Sequence, residues 1–219
     1  MASASLSASS VPPRPASRLT LVTPALAAAG DVLPALTEAI DGADIAAVIV
    51  RLADAAERAQ TNLVKALAGP VQQRGTALLI HGHAGLAARS GADGAHLTGA
   101  EAFQEAVGLL KPDRIAGIGG IATRHDAMVA AEAGADYVMF GEPDAEGRRP
   151  PFDAVLERVS WWAEVFEVPC VGYAAAADEI APLVAAGADF VALDPALWVA
   201  APRAVTALAE RLRRPEPAA

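Results

Sequence analysis

Ala133-Gly134-Ala135-Asp136-Tyr137-Val138-Met139-Phe140-Gly141 recurs along the chain, and its recurrence decides the fold. Gly187-Ala188-Asp189-Phe190-Val191-Ala192-Leu193 repeats it, as does Gly91-Ala92-Asp93-Gly94-Ala95-His96-Leu97. Gly42-Ala43-Asp44 opens a looser copy that runs into residues 45–50. Each copy follows an alanine-rich helical pattern. Its glycine suits the left-handed residue that ends a helix. The run after the aspartate is short and apolar throughout, as for a strand covered on both faces. A helix, a glycine stop and a buried strand, repeated in order, make an α/β barrel or a doubly wound sheet.

Working outward from these units gives eight strand-like runs, over 19–23, 46–51, 77–81, 94–97, 114–118, 137–140, 169–173 and 190–193. Helical patterns lie between them, over 31–40, 54–67, 84–90, 100–110, 123–133, 152–166, 177–186 and 202–213. Gly69-Pro70 reads as a stop for the second helix, and Thr123 as the N-cap of the fifth. Eight β/α pairs imply a closed parallel (β/α)8 TIM barrel over 18–213, with the Gly-Ala-Asp units opening the even strands. The alternative is an open doubly wound sheet. Residues 1–17 are rich in Ser, Ala and Pro without apolar periodicity, so they read as a disordered tail. They contain no apolar segment of the kind that begins a secretory signal; their Ser-rich, acid-free composition faintly suits an organellar transit peptide. Residues 214–219 read as a frayed end.

The 219-residue chain is long enough for one large barrel core. Its net charge of −9 argues against nucleic acid and anionic membranes as partners. Although 53% of its residues are hydrophobic, no uninterrupted apolar run is long enough to span a bilayer. A single cysteine, Cys170, excludes an internal disulfide and a Cys-rich metal site, and a reducing cytoplasmic setting fits.

Chemistry in a closed β/α barrel sits where strands end and helices begin. Arg51 is the one fixed cation at such an end, and a guanidinium there suits a phosphate or carboxylate. His81 and His83 are two apart and would share a face on an extended chain, as a metal pair or as catalytic acid and base. His96 reads as a packed strand-end residue. Gly117 to Gly120, including Gly119 and Gly120, could let backbone N–H groups approach an anion, or could simply make a tight turn. The aspartates of the repeats open strands, at the end away from chemistry, and read as structural. Cys170 reads as core.

At these strand ends the chain resembles the thiamine phosphate synthase family, which includes the thiazole tautomerase. Leu21-Val22-Thr23 is similar to the family's opening Leu-Val-Thr-Asp, and Val50-Arg51-Leu52 falls at its Gln-x-Arg-x-Lys strand. Residues 78–97 are similar to its Ile-Asn-Asp-Arg…Gly-Ala-Asp-Gly-Val-His-Leu region, and Gly134 to Gly141 to its Gly-Ala-Asp-Tyr-Val-x-x-Gly. The resemblance implies a β/α barrel that joins a pyrimidine diphosphate to a thiazole phosphate with Mg²⁺ and releases pyrophosphate. It places Arg51 and Arg149 at anion-binding positions, Arg149 standing roughly at the family's lysine, and Glu101 at a metal-binding aspartate. The departures fall on the functional positions. Ile49 and Ala53 replace the family's Gln and Lys, His81-Gly82 its Asn-Asp, Gly119 its serine, and residues 173–176 its Ile-Gly-Gly-Ile. Strand 8 ends in Asp194-Pro195. Pro195 has no N–H to offer a phosphate, and an Asp194 carboxylate about 4 Å away would oppose each phosphate charge by several kcal/mol at an effective dielectric near 20.

Three activities follow: a divergent synthase, a non-catalytic or re-purposed relative binding another ligand or a partner protein, or a tautomerase-like acid/base enzyme using His81 or His83. A small-molecule ligand at the barrel mouth is common to the first and third. On the helix over 152–166, Phe152, Val155, Leu156, Val159, Trp162, Ala163 and Phe166 form an inward stripe. Trp161 falls opposite it between Glu157 and Glu164, and reads as an exposed contact for a homodimer or partner.

Overall fold

The computed structural model describes residues 15–121, 123–144 and 146–212. Eight parallel strands close into a barrel in sequence order. They are β1 (Arg18–Leu26), β2 (Ile45–Leu52), β3 (Ala77–His81), β4 (Gly94–Thr98), β5 (Ile115–Gly119), β6 (Tyr137–Phe140), β7 (Cys170–Ala174) and β8 (Phe190–Leu193). The helices between and after them are α1 (Leu33–Gly42), α2 (Glu57–Gln72), α3 (Ala84–Ser90), α4 (Ala100–Ala106), α5 (Arg124–Glu132), α6 (Phe152–Val165), α7 (Ile180–Ala185) and α8 (Ala204–Glu210). The open-sheet alternative is excluded, because β8 pairs with β1 from Arg18↔Phe190 to Leu21↔Leu193.

The repeats work as strand anchors. Gly91, Gly134 and Gly187 hold φ of 84°, 97° and 101°, where a side chain would be strained. Each following aspartate then accepts the first free N–H of the preceding strand: Asp93 from Leu78, Asp136 from Ala116, Asp189 from Cys170. An unpaired N–H at a strand start is thereby satisfied without an edge. The looser first copy differs. Gly42 stays inside α1, and Asp44 accepts the Arg18 guanidinium instead.

The main core lies between helices and barrel, and a second cluster fills the barrel itself. Val22, Ile49, Leu79, Tyr137, Met139, Val171, Tyr173 and Ala192 make that inner cluster. Strand alternation carries the inner face two residues onward. Arg51 follows Ile49, His81 follows Leu79, and Asp194 follows Ala192, so all three stand over the core at the carboxyl ends.

Four expectations change. The second helix does not stop at Gly69-Pro70; α2 continues to Gln72 with Pro70 inside it. Buried Leu67, Ala68 and Val71 hold this last turn against the barrel, and packing outweighs the lost N–H. Ser17, assigned to the tail, is buried and donates to the Ala188 carbonyl, so the folded domain starts before Arg18. The rest of the N-terminal tail up to residue 14, and the frayed end over 214–219, lie outside the described residues. Trp161 is not a lone exposed ring. It is half-buried, edge-on to Trp162 and Phe166, and covered by the Arg124 guanidinium at 4.7 Å. The homodimer expectation therefore loses the bare aromatic on which it rested.

Candidate functional site

His96, on β4, lies fully buried at the centre of the mouth. Its Nδ1 is 2.8 Å from the Tyr137 hydroxyl and its Nε2 is 3.0 Å from Glu142 Oε2. Bonding logic assigns the protons: the hydroxyl donates to Nδ1, and Nε2–H donates to the carboxylate, which leaves no like groups facing. Burial holds the Tyr137 phenol protonated well above the usual tyrosine range. Burial also pushes the Glu142 carboxyl up, but His96, then His81 and Arg51, outweigh it and hold its pKa below the usual value.

Two glycines of β5 make room for this arrangement. A Cβ on Gly117 would meet the Tyr137 ring at 2.0 Å, and one on Gly119 would meet Glu142 Oε1 at 2.0 Å. Gly120, at φ 62°, abuts Thr98. The glycine run thus gives space to side chains, and Gly120 also lines a cavity beside Glu142.

His81 sits beside His96, with ring centroids 5.6 Å apart and its Nε2 3.2 Å from Thr98 Oγ1. Burial, reinforced by His96, lowers its pKa to about 4, so it is neutral at physiological pH. A group so far from 7 is a poor general acid there. On the other side of the mouth, Tyr173 donates to Asp194 Oδ2 at 2.6 Å, and Arg51 faces the same hydroxyl. Burial and the Asp194 bond both raise the phenol's pKa. Arg51 thus acts electrostatically on both Glu142 and Tyr173, the partner of Asp194.

One backbone donor just after each of β7 and β8 is taken by a carboxylate. The Ala175 N–H donates to Glu179 Oε2 at 2.7 Å, and the Ala196 N–H to Asp194 Oδ1 at 2.8 Å. Glu179 also pairs with Arg149, whose Nε donates to the Gly141 carbonyl and Nη2 to the Tyr173 carbonyl. Arg149 thus clamps two loops together, and it also lines the cavity beside Glu142. This cavity, of about 430 Å³, is lined also by Thr98, Gly120, Arg148 and Arg158. Arg148 is paired with Asp144 and Glu146.

The known proteins agree with one another. The family model described as thiamine monophosphate synthase matches residues 19–197. The chain belongs to this family. It is 41% identical to the thiamine-phosphate synthase of Rhodospirillum centenum, over 90% of this chain and 98% of that protein. The thiamine-phosphate synthase of Hyphomonas neptunium is 36% identical, over 91% and 97%. In structure, the thiamine phosphate pyrophosphorylase of Pyrococcus furiosus superposes with a TM-score of 0.71 at 20% identity, covering 89% of this chain and 96% of that one. That last likeness bears on the fold alone.

Set on the family's pattern, Arg51, His81 and Asp194 come together at the mouth, and two expected residues do not join them. His83 is exposed at the start of α3, in a separate groove with Glu57, Gln60 and Arg89. It cannot share a face with His81, because β3 ends at His81 and Gly82 turns the chain at φ 74°. Glu101 is exposed in the first turn of α4 and stands outside the grouping of His81, His96 and Glu142. Among the described residues, the one three-residue grouping at the mouth, His81, His96 and Glu142, offers two imidazoles and one carboxylate, which does not fit Mg²⁺, an ion that takes oxygen ligands. Sequence reasoning missed Glu142, Tyr137 and Glu179 as site residues. Glu142 had one signal, its place directly after the Gly141 that ends a strand unit.

Proposed function

We propose that this family member is a re-purposed relative that binds a different small molecule at the barrel mouth. On this reading it does not couple pyrimidine diphosphate to thiazole phosphate. One observation carries the proposal: Glu179 and Asp194 each occupy one backbone N–H, of Ala175 and of Ala196, just after β7 and β8, where a barrel of this kind holds phosphate. A phosphate there would have to displace a carboxylate while facing another.

A second reading, retained synthase activity, draws on the names of the two full-length bacterial relatives. The test is direct. Purified protein is incubated with both synthase substrates and Mg²⁺, and thiamine phosphate and pyrophosphate are quantified. No product above the protein-free control is expected, and multiple turnovers would reverse the assignment in favour of the second reading.

A further inference from the structure

We propose that His81, His96 and Glu142 form a binding site for a divalent transition metal ion of the zinc class, with one coordination position open to the adjacent cavity. The three residues come from the ends of β3, β4 and β6, so only the closed barrel brings them together. One donor atom from each lies within 4.8 Å of the others. Among the described residues this is the one such grouping of three histidine, cysteine or acidic side chains.

A second observation points to a ligand. Glu142 is 8% exposed, and its Oε1 is buried with no hydrogen-bond partner among the described residues. A buried carboxylate oxygen left unpaired is costly, and native interiors rarely tolerate it without a purpose. A cation bound by that carboxylate removes the cost.

The geometry suits tetrahedral ligation with little change. His96 Nε2 and Glu142 Oε2 are 3.0 Å apart, so a shift of about 0.4 Å brings them to the ~3.4 Å spacing of two tetrahedral ligands each about 2.1 Å from one ion. His81 is the least buried of the three, and turning its ring closes the remaining distance. The Tyr137 hydroxyl can donate to or accept from His96 Nδ1. It therefore supports the tautomer that frees Nε2 for a metal, the usual role of a group behind a metal-bound imidazole. Two imidazoles select against Mg²⁺ and Ca²⁺ and favour zinc-class ions. Glu142, one of the three ligands, lines the cavity together with Thr98 and Gly120, so an ion held there would have that cavity beside it, as suits a site that also admits a small molecule rather than a closed structural one.

The test uses untagged full-length protein stripped of metal and titrated with Zn²⁺ by calorimetry, with Co²⁺ absorption reporting ligand geometry. One Zn²⁺ per chain is expected, with no heat from Mg²⁺ at the same concentration. Glu142→Gln and His81→Ala should each weaken binding by about 100-fold or more, and Tyr137→Phe by about tenfold. His125→Ala, on exposed α5 surface, should bind as wild type does. Circular dichroism confirms that each variant is folded, and His81→Ala, at the least buried position, stands if Glu142→Gln is not. Absence of Zn²⁺ binding, wild-type affinity in both ligand variants, or equal binding of Mg²⁺ would each overturn the proposal. No synthase substrate enters this titration, so its outcome is separable from that of the coupling assay.

Discussion

A Cβ on Gly119 would lie 2.0 Å from Glu142 Oε1 and 2.8 Å from His96 Nε2, so any side chain there must expel the carboxylate. A side chain at position 119 and the present placement of the Glu142 carboxylate therefore compete for the same space. Gly119→Ala should destabilise the protein by about 1–3 kcal/mol, the usual cost of overpacking a tight interior. The same change in a Glu142→Ala background should cost clearly less, because the clashing atoms are gone. Chemical denaturation of the four proteins in this cycle measures the coupling, and strict additivity would disprove the competition. The sequence made Arg51 and His81 legible, because both stand at strand ends. It left Glu142 obscure, since its partner His96 is 46 residues away and nothing local joins them.

Among elements, the aspartate anchors were legible as structural, and their bonds explain why. Asp136→Ala would strand the Ala116 N–H at the start of β5 and release Lys111. A loss of about 1–3 kcal/mol is expected from the unpaired backbone donor, read as a lower denaturation midpoint at unchanged slope. The clamp between the loops after β6 and β7 is a stronger case. Glu179→Ala leaves the Arg149 guanidinium without its carboxylate, with 20% of that side chain exposed. A cost of about 3 kcal/mol is expected, at the low end for a broken buried pair because some solvent reaches the charge. Thermal unfolding of Glu179→Ala and Arg149→Ala would check this, and midpoints equal to wild type would show the clamp to be weak. Arg149 read as an anion ligand from sequence because its position on the family pattern was visible, whereas Glu179 lies 30 residues on, across another strand.

At the scale of the whole molecule, both tyrosines of the chain, Tyr137 and Tyr173, are buried in the barrel, and both have pKa values raised above the usual 10.0. The native protein then keeps protons that the unfolded chain releases. Their contribution to stability is complete below pH 10 and is lost as the pH rises above it. Tyrosinate absorbance should stay absent through pH 10 and then appear in a single step together with loss of the circular dichroism signal. Two ordinary titrations near pH 10 in a protein that remains folded would contradict the buried placement. No helix among the described residues is long and apolar enough to cross a membrane.

The repeating Gly-Ala-Asp units, with their left-handed glycines and all-apolar strands, determined a chain of eight β/α pairs from sequence alone, and the pairing of β8 with β1 decided that they close. Those signals are local in origin: a helix stop needs a glycine, and a doubly covered strand needs an unbroken apolar run. Strand alternation likewise determined which residues crown the inner face. What filled the site was decided by tertiary structure. Barrel closure sets Glu142 over Gly119 against His96, and Glu179 and Asp194 each onto one backbone donor just after β7 and β8. Each of these contacts depends on where neighbouring loops meet in space, and chain separation carries no record of that.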